Sequence, residues 1–247
     1  MRADAAAQLR LLDLQALDTV LGQLAHRRRA VPQIAELAAL DVRERELRDH
    51  EVAVRTAVSD LDREMTRAEA DVAQVRDRID RDRAMLDAGS VASARQLEDL
   101  QRELGNLARR ATDLEDAQLE VMEKLEDAQA RAASAAAQVL SLTETRLAAE
   151  RAREAAFADI DAEVARVGGE RSRVVTDIPE DLLGLYERIR AGSGGVGAAP
   201  LLRGRCQGCQ LTLTPADLGR IRAEPPDAVV RCEECRRILV RTAESGL

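Results

Sequence analysis

Apolar residues recur every seven positions through much of the chain. Between Leu37 and Leu86 two rows of such positions alternate at spacings of three and four, so a helix places both rows on one stripe. The first row comprises Leu40, Leu47, Val54, Leu61, Ala68 and Val75, and the second comprises Leu37, Glu44, Glu51, Val58, Met65, Val72, Ile79 and Leu86. Such a stripe is typical of a helix that pairs with another helix in a coiled coil.

The stripe ends at a turn signal. Gly89 suits the left-handed position that follows a helix, and Ser93 with Gln96 matches a capping box that begins another. The pattern then resumes at Leu97, Leu100, Leu104, Leu107, Ala111, Leu114, Gln118, Val121, Leu125, Ala128, Ala132, Ala135, Val139, Leu142, Ala149, Ala156, Ile160 and Val167. Because the connection is short, the second helix returns beside the first, which predicts an antiparallel coiled-coil hairpin within one chain.

Centring the hairpin on this turn also predicts its register. Residues that face each other would have numbers that sum to about 180. Ile79 then lies opposite Leu100, and Glu44 and Glu51 lie opposite the alanine-rich run 128–137. Small residues there would let the helices approach closely while the two carboxylates reach water.

Breaks in the pattern mark the ends of the hairpin. Pro32 predicts a kink or break near residues 30–31, and the N-terminal segment before it carries its own stripe and is expected to cover another surface. This stripe comprises Leu14, Leu17, Leu21 and Leu24. Pro179 starts a short helix, and residues 191–199, with four glycines, predict a flexible connection.

We therefore predict a mainly α fold, a long antiparallel coiled-coil hairpin followed by a small C-terminal β domain. The predicted domains are a kinked helical hairpin over 1–175 with its tip near 87–93, a short helix and Gly-rich connection over 176–199, and a four-cysteine ribbon over 200–247.

Composition argues against a large enzyme built around one core. Of 247 residues one is Phe, one is Tyr and none is Trp, so the bulk that fills large cores is missing. The two histidines, His26 and His50, lie on helical patterns away from any partner for catalysis, and the glycines of 192–197 lack the Lys-Ser/Thr end of a phosphate-binding loop. We expect no catalytic residues, no small-molecule substrate and no enzymatic activity.

Charge and hydropathy limit the partners. The net charge of −8 means that any contact with nucleic acid must be local, and no stretch is apolar enough for a signal peptide or a membrane span. We expect a cytoplasmic protein with no membrane contact.

All four cysteines lie near the C-terminus, in two C-x2-C pairs. Cys206 and Cys209 form the first pair, and Cys232 and Cys235 form the second. Such pairs supply the four thiolates of a closed, tetrahedral structural Zn²⁺ site. A disulfide or redox pair and an iron centre are the alternatives, and a reducing cytoplasm disfavours the first. Short strands at 211–213, 229–231 and 238–240 and a helix from Pro215 to Arg222 predict a zinc ribbon.

The chain resembles the bacterial C4-type zinc-ribbon family with a coiled-coil hairpin. The resemblance is carried by the hairpin with its Gly-containing tip, by the stretch PEDLLGLYERIR at 179–190, and by CEECRRIL at 232–239. It implies a non-enzymatic adaptor, a single zinc ion held by Cys206, Cys209, Cys232 and Cys235, and a partner from the transcription or secretion machinery or, in one case, messenger RNA. Arg236 departs from the family, which often has Gly there, so we expect a strained turn or a different bend.

Two functions follow from these features. The first is a scaffold that binds partner proteins through the coiled coil and the ribbon. The alternative is binding of RNA or DNA through the ribbon, because the sequence from Pro200 onward has eight arginines and only six acidic residues. This tail has no aromatic residue on which bases could stack. The predicted phosphate contacts are Arg203, Arg205, Arg236 and Arg237. We expect a monomer, because the turn makes exchange of helices between chains unnecessary.

Overall fold

The structure is a computed structural model that describes residues 1–91 and 93–247. Its helices are α1 (Ala5–Arg29), α2 (Pro32–Asp87), α3 (Ala94–Thr176), α4 (Glu180–Gly192) and α5 (Pro215–Ala223), and its strands are β1 (Ala198–Leu202), β2 (Arg205–Cys206), β3 (Val230–Arg231) and β4 (Ile238–Val240). Contacts divide the chain into two units, one comprising 1–35 and 150–247 and the other 36–149. The mainly α fold with a helical hairpin and a small β region is confirmed. The domain boundaries proposed from the sequence stay a prediction.

In the unit of residues 36–149, α2 and α3 form the coiled coil. Every residue of the predicted α2 stripe is buried or half-buried, with Leu47, Val72 and Ile79 among the buried ones. On α3 the small side chains Ala128 and Ala135 are each only 1% exposed. The seven-residue pattern therefore identified the seam of α2 correctly, because burial in a coiled coil follows that period.

The predicted register is wrong. Arg76 Nη2 lies 2.7 Å from Glu115 Oε1, and Arg146 Nη1 lies 3.2 Å from Glu44 Oε2. The numbers in each pair sum to about 190, so each α2 residue meets α3 about ten positions further along than predicted. Leu97, which was expected in the seam, is 40% exposed. Caps define where helices end, whereas the register depends on which side chains meet along the seam.

Glu44 shows the consequence of this shift. It does not face the alanine-rich run, as predicted, but accepts hydrogen bonds from Arg146 across the seam and from Arg48 on its own helix. The bond from Arg48 holds the pKa of Glu44 below its usual range, and the charge of Arg146 acts in the same direction. The side chain of Glu44 is 16% exposed, so an ion pair replaces an apolar contact within the seam.

The turn has the predicted caps. Gly89 has a φ of 64°, and its N–H donates to the carbonyl of Leu86 over 3.1 Å. At the start of α3 the hydroxyl of Ser93 accepts from the N–H of Gln96 over 3.3 Å. The predicted tip also includes Ala92, which lies outside the described residues.

In the other unit, α1 covers the elements that follow α3. The break before Pro32 is confirmed, since α1 ends at Arg29 and α2 begins at Pro32. Leu11 and Leu14 of α1 belong to the same buried cluster as Leu182, Tyr186 and Ile238. The expectation that the N-terminal segment covers another surface is therefore confirmed, and the surface consists of α4 and the sheet.

A buried polar cluster ties α1 to its neighbours. Tyr186 donates from its hydroxyl to Asp18 Oδ2 over 2.7 Å, and Arg171 Nε donates to Asp18 Oδ1 over 2.6 Å. Gln15 accepts from the N–H of Gly197 over 2.7 Å. Burial, with the hydrogen bond to Asp18, raises the pKa of Tyr186. Gly197 is required here, because a Cβ at that position would lie 2.7 Å from the Tyr186 ring.

Four short strands form a sheet in the order β2-β1-β4-β3. β1 runs parallel to β4, and the other two pairs are antiparallel. β1 begins at Ala198, inside the segment expected to be a flexible connection, because Ala198 and Ala199 are small enough to pack in the interior beside Ile238 and Leu239. Strands β3 and β4 and helix α5 match their predictions. The predicted strand at 211–213 is wrong, since only an isolated bridge from Arg205 to Thr212 forms there.

Candidate metal centre

The two cysteine pairs converge at one end of the sheet. Cys206 ends β2, and Cys232 follows β3 directly, so the ladder fixes one cysteine of each pair. The Sγ atoms of Cys206 and Cys235 lie 3.9 Å apart, as do those of Cys209 and Cys232, and all four lie within 4.8 Å of one another. A tetrahedral Zn²⁺ with Zn–S bonds of about 2.3 Å separates its sulfur atoms by about 3.8 Å. The donor set therefore fits a single structural zinc ion.

Backbone turns bring the two cysteines of each pair together. Gln210 donates its N–H to the carbonyl of Cys206 over 2.8 Å, and Arg236 donates likewise to Cys232 over 2.9 Å. Each residue follows the second cysteine of its pair, and both have left-handed backbones, with φ of 64° at Gln210 and 61° at Arg236. Of the two outcomes expected for Arg236, the strained turn is the one present, while the strain at Gln210 was not predicted.

The cysteines lie in apolar surroundings. Cys206 and Cys232 are buried in a cluster with Leu201, Ile221 and Leu239. Burial raises the pKa of Cys206 to about 12 and raises that of Cys232 as well. Zn²⁺ binds thiolates, so a metal ion bound here must displace the thiol protons. With four thiolates around the ion, no position is left for water or substrate, and the chemistry that the ion supplies is cross-linking of the two knuckles.

The four arginines predicted to contact phosphate have different surroundings. Arg203, Arg205 and Arg236 are exposed, and Arg236 is paired with Glu233 at 3.4 Å. Arg237 is partly buried and points inward, where its guanidinium donates to the carbonyls of Ser193, Val196 and Gly208 over 2.8 to 3.1 Å. Arg237 thus fastens both cysteine pairs to the turn before β1.

Arg241 plays a similar part and was not predicted. Its guanidinium donates to the carbonyls of Glu224, Pro225, Pro226 and Ala228, over distances of 2.6 to 3.0 Å. It holds the loop between α5 and β3 in place. In the sequence it is one arginine among many, so no local pattern distinguishes it from an exposed one.

The remaining candidates for chemistry are dispersed. His26 and His50 are exposed on α1 and α2. Gly194 and Gly195 have φ of 66° and 87° and form the turn before β1. No helix in the described part of the chain is both long and apolar enough to cross a membrane.

Two models of known protein families match the chain. The model of the CT398-like coiled coil hairpin domain matches residues 14–194, and that of the C4-type zinc ribbon domain matches residues 205–239. The chain belongs to the CT398-like family. Its zinc-ribbon tail accounts for the four-cysteine cluster and confirms the resemblance seen in the sequence.

Two mycobacterial proteins are similar to this chain over most of their length. An uncharacterized protein of Mycobacterium tuberculosis is 39% identical over 241 residues, which is 98% of each chain. One from Mycobacterium leprae is 32% identical over 222 residues, which is 88% of this chain and 93% of the other.

Solved structures agree on the fold. A Mycobacterium smegmatis protein superposes with a TM-score of 0.84 at 35% identity, over 98% of this chain and all of the other. CT398 from Chlamydia trachomatis gives a TM-score of 0.67 at 20% identity, over 96% of this chain and 98% of CT398, and so supports the fold alone.

Proposed function

We propose that the chain is a non-enzymatic scaffold that binds a partner protein through its coiled coil and zinc ribbon, in the cytoplasm. The closed set of four thiols carries this proposal. With Cys206, Cys209, Cys232 and Cys235 as its ligands, the metal ion has no open position at which to activate water or a substrate. The ion then serves to keep a binding surface folded.

The residues of the ribbon favour a protein partner over a nucleic acid. Leu211, two residues after Cys209, is 49% exposed, and its apolar side chain can be buried against a protein but gains nothing from contact with a phosphate. From Pro200 onward the sequence has no aromatic side chain on which bases could stack. The family resemblance implies a component of the transcription or secretion machinery.

Nucleic-acid binding is the second candidate, supported by exposed arginines. Arg203, Arg205 and Arg236 are exposed on the ribbon, where Arg205 also donates to the carbonyl of Gln210 and Arg236 pairs with Glu233. Arg237 contributes less to this proposal, because its donors already meet three carbonyl oxygens.

One capture experiment distinguishes the two functions. The zinc-loaded protein is immobilised, incubated with nuclease-treated extract of its own cells, and washed at 0.2 and 0.5 M salt. We expect a protein to be retained at both concentrations and to bind again after purification. Cys232→Ser, which removes one ligand, should abolish or weaken that retention if the ribbon is part of the surface.

The nucleic-acid alternative has its own measurement. A labelled single-stranded RNA is titrated with wild type and with the triple variant Arg203→Ala, Arg205→Ala, Arg236→Ala. Affinity that falls steeply with salt and is lost in the triple variant would replace the proposed function. Arg222→Ala, an exposed arginine on α5, is the matched control.

A further inference from the structure

Helix α3 carries a second apolar stripe outside the seam. Ala130, Ala133, Ala137, Leu140 and Leu147 are all exposed, and we call them the outer face of α3. With Glu144 they follow spacings of three and four, as the seam residues do. The outer face lies entirely within the unit of residues 36–149.

The outer face is unusually apolar for this molecule. Leu140 is 67% exposed and Leu147 is 45% exposed, although both lie on a helix that buries its other stripe. No residue from 132 to 143 is charged, in a chain of which 33% is charged. This is the longest uncharged run in α2 or α3, so the helix surface here lacks the charges that keep exposed helices apart.

The order of residues indicates what can cover this face. When a second copy of α3 runs antiparallel, with the two-fold axis between Gln138 and Val139, Ala137 meets Leu140 of the second copy. In the same register Ala130 meets Leu147, and Ala133 meets Glu144. Each leucine therefore faces an alanine, which lets the helices approach closely while the leucines fill the space between them.

A parallel arrangement is less favourable. In register it places Glu144 opposite Glu144, so that like charges face each other, and it pairs Ala137 with Ala137 and Leu140 with Leu140, so that no alanine is matched with a leucine. The complementarity of small with large residues exists only in the antiparallel arrangement.

We propose that two copies of this chain associate through the outer face of α3 in an antiparallel, two-fold symmetric coiled coil. The association leaves each intramolecular hairpin intact and is independent of the proposed function. It replaces the expectation of a monomer at high protein concentration. The seam covers residues 130–147, about 27 Å of helix, so the dimer is of the weak and transient class.

Sedimentation of the zinc-loaded protein tests the association. Between about 1 and 100 µM we expect the mass to rise from 27.0 kDa toward twice that value. Leu140→Glu should keep the mass at one chain throughout, with unchanged helical content. Val52→Glu is the matched control, because Val52 is 63% exposed on α2 and lies outside the outer face, so that variant should still dimerise. A single-chain mass for wild type at 100 µM, or equal dimerisation by Leu140→Glu, would overturn the proposal.

Cysteine cross-linking tests the direction of the helices. Ala130→Cys mixed with Leu147→Cys should give a disulfide between the two variants, identified by mass spectrometry of the linked peptides. Neither variant alone should link to itself, because residue 130 of one copy lies about 25 Å from residue 130 of the other. Self-linking of Ala130→Cys would instead indicate a parallel pair and contradict the proposed arrangement.

Discussion

Arg236 combines a strained backbone with an exposed side chain. Its φ of 61° is one that residues with a Cβ adopt only at a cost, and its ion pair with Glu233 at 3.4 Å is on the surface. A surface pair of this kind contributes less than about 1 kcal/mol. The strain therefore outweighs the ion pair in the folded ribbon.

Replacing Arg236 by glycine should consequently stabilise the ribbon. We expect Arg236→Gly to raise the free energy of unfolding of the zinc-loaded ribbon by about 0.5 to 1 kcal/mol. Hydrogen exchange of the β3 and β4 amides measures this change. Arg236→Ala is the control, since it removes the ion pair but keeps the Cβ, and it should not stabilise. A less stable glycine variant would show that the Arg236 side chain makes the larger contribution.

The buried cysteines make zinc binding dependent on pH. Because burial raises the pKa of Cys206 to about 12 and raises that of Cys232 as well, both thiols are protonated at neutral pH in a folded ribbon without metal. In an unfolded ribbon, thiols with the usual pKa of about 8.5 are mostly protonated as well. Binding of Zn²⁺ must then release at least these two protons, so apparent affinity rises with pH and falls on acidification. We expect a loss of at least about a hundredfold per pH unit between pH 8 and pH 6, because each displaced proton contributes a factor of about ten.

Calorimetry in two buffers of different ionisation enthalpy measures the protons released, and competition with a chelator dye measures the affinity. Binding with no proton release would mean that the thiolates exist before the metal arrives, contrary to this prediction.

At the scale of the helices, the sequence predicted which residues enter the seam but not which residues meet. Burial depends only on the seven-residue period, which each helix displays by itself. Register depends on pairs such as Arg76–Glu115 and Arg146–Glu44, and a pattern read along one helix contains no information about its partner. Arg146 is not part of the predicted stripe, although it is half-buried and lies between the seam positions Leu142 and Ala149.

The Arg146–Glu44 pair should help to set the register. Arg146→Ala leaves Glu44 in the seam without its partner from α3, and we expect the free energy of unfolding to fall. Urea unfolding followed by far-UV circular dichroism measures it. Adding Glu44→Leu to an Arg146→Leu variant should restore stability, because an apolar pair of similar volume suits the seam. If that double variant is less stable than Arg146→Ala, the ion pair does more than fix the alignment.

The sign of the pH dependence also follows from this pair. Hydrogen bonding depresses the pKa of Glu44 in the folded protein, so ionised Glu44 contributes to the free energy of unfolding at pH values above the usual pKa of a glutamate. This contribution is lost as the pH falls through the depressed value.

At the scale of the whole molecule, the least predictable feature was the docking of α1. Leu14 and Leu24 read as one more coiled-coil stripe, yet Leu14 packs with α4 and the sheet, and Leu24 packs with Ile160 and Val167. The cluster around Asp18 was also missed, because a lone Asp, Gln or Tyr gives no signal until the chain brings them together. The zinc ribbon was predictable, since the spacing of its cysteines is local.

Removal of the metal should unfold one region and spare another. Strands β2 and β3 are only two residues long and lie at the two edges of the sheet, so we expect them to lose their order without the cross-link between the cysteine pairs. We expect a strong chelator to remove hydrogen-exchange protection from β2 and β3, while α2 and α3 within residues 36–149 keep theirs. The variant Cys232→Ser, purified with zinc, should show the same pattern without chelator. Retained protection of the strands after zinc loss would contradict this account.

The hydroxyl of Tyr186 against the carboxylate of Asp18 gives the protein an optical property. Tyr186 is the only tyrosine in the sequence and there is no tryptophan, so all tyrosine fluorescence of the protein comes from one ring. A neighbouring carboxylate quenches tyrosine fluorescence, and Asp18 is 2.7 Å away. Detachment of α1, which carries Asp18, should therefore increase the fluorescence of Tyr186. The intrinsic fluorescence of the protein then measures the docking of α1 without an added label.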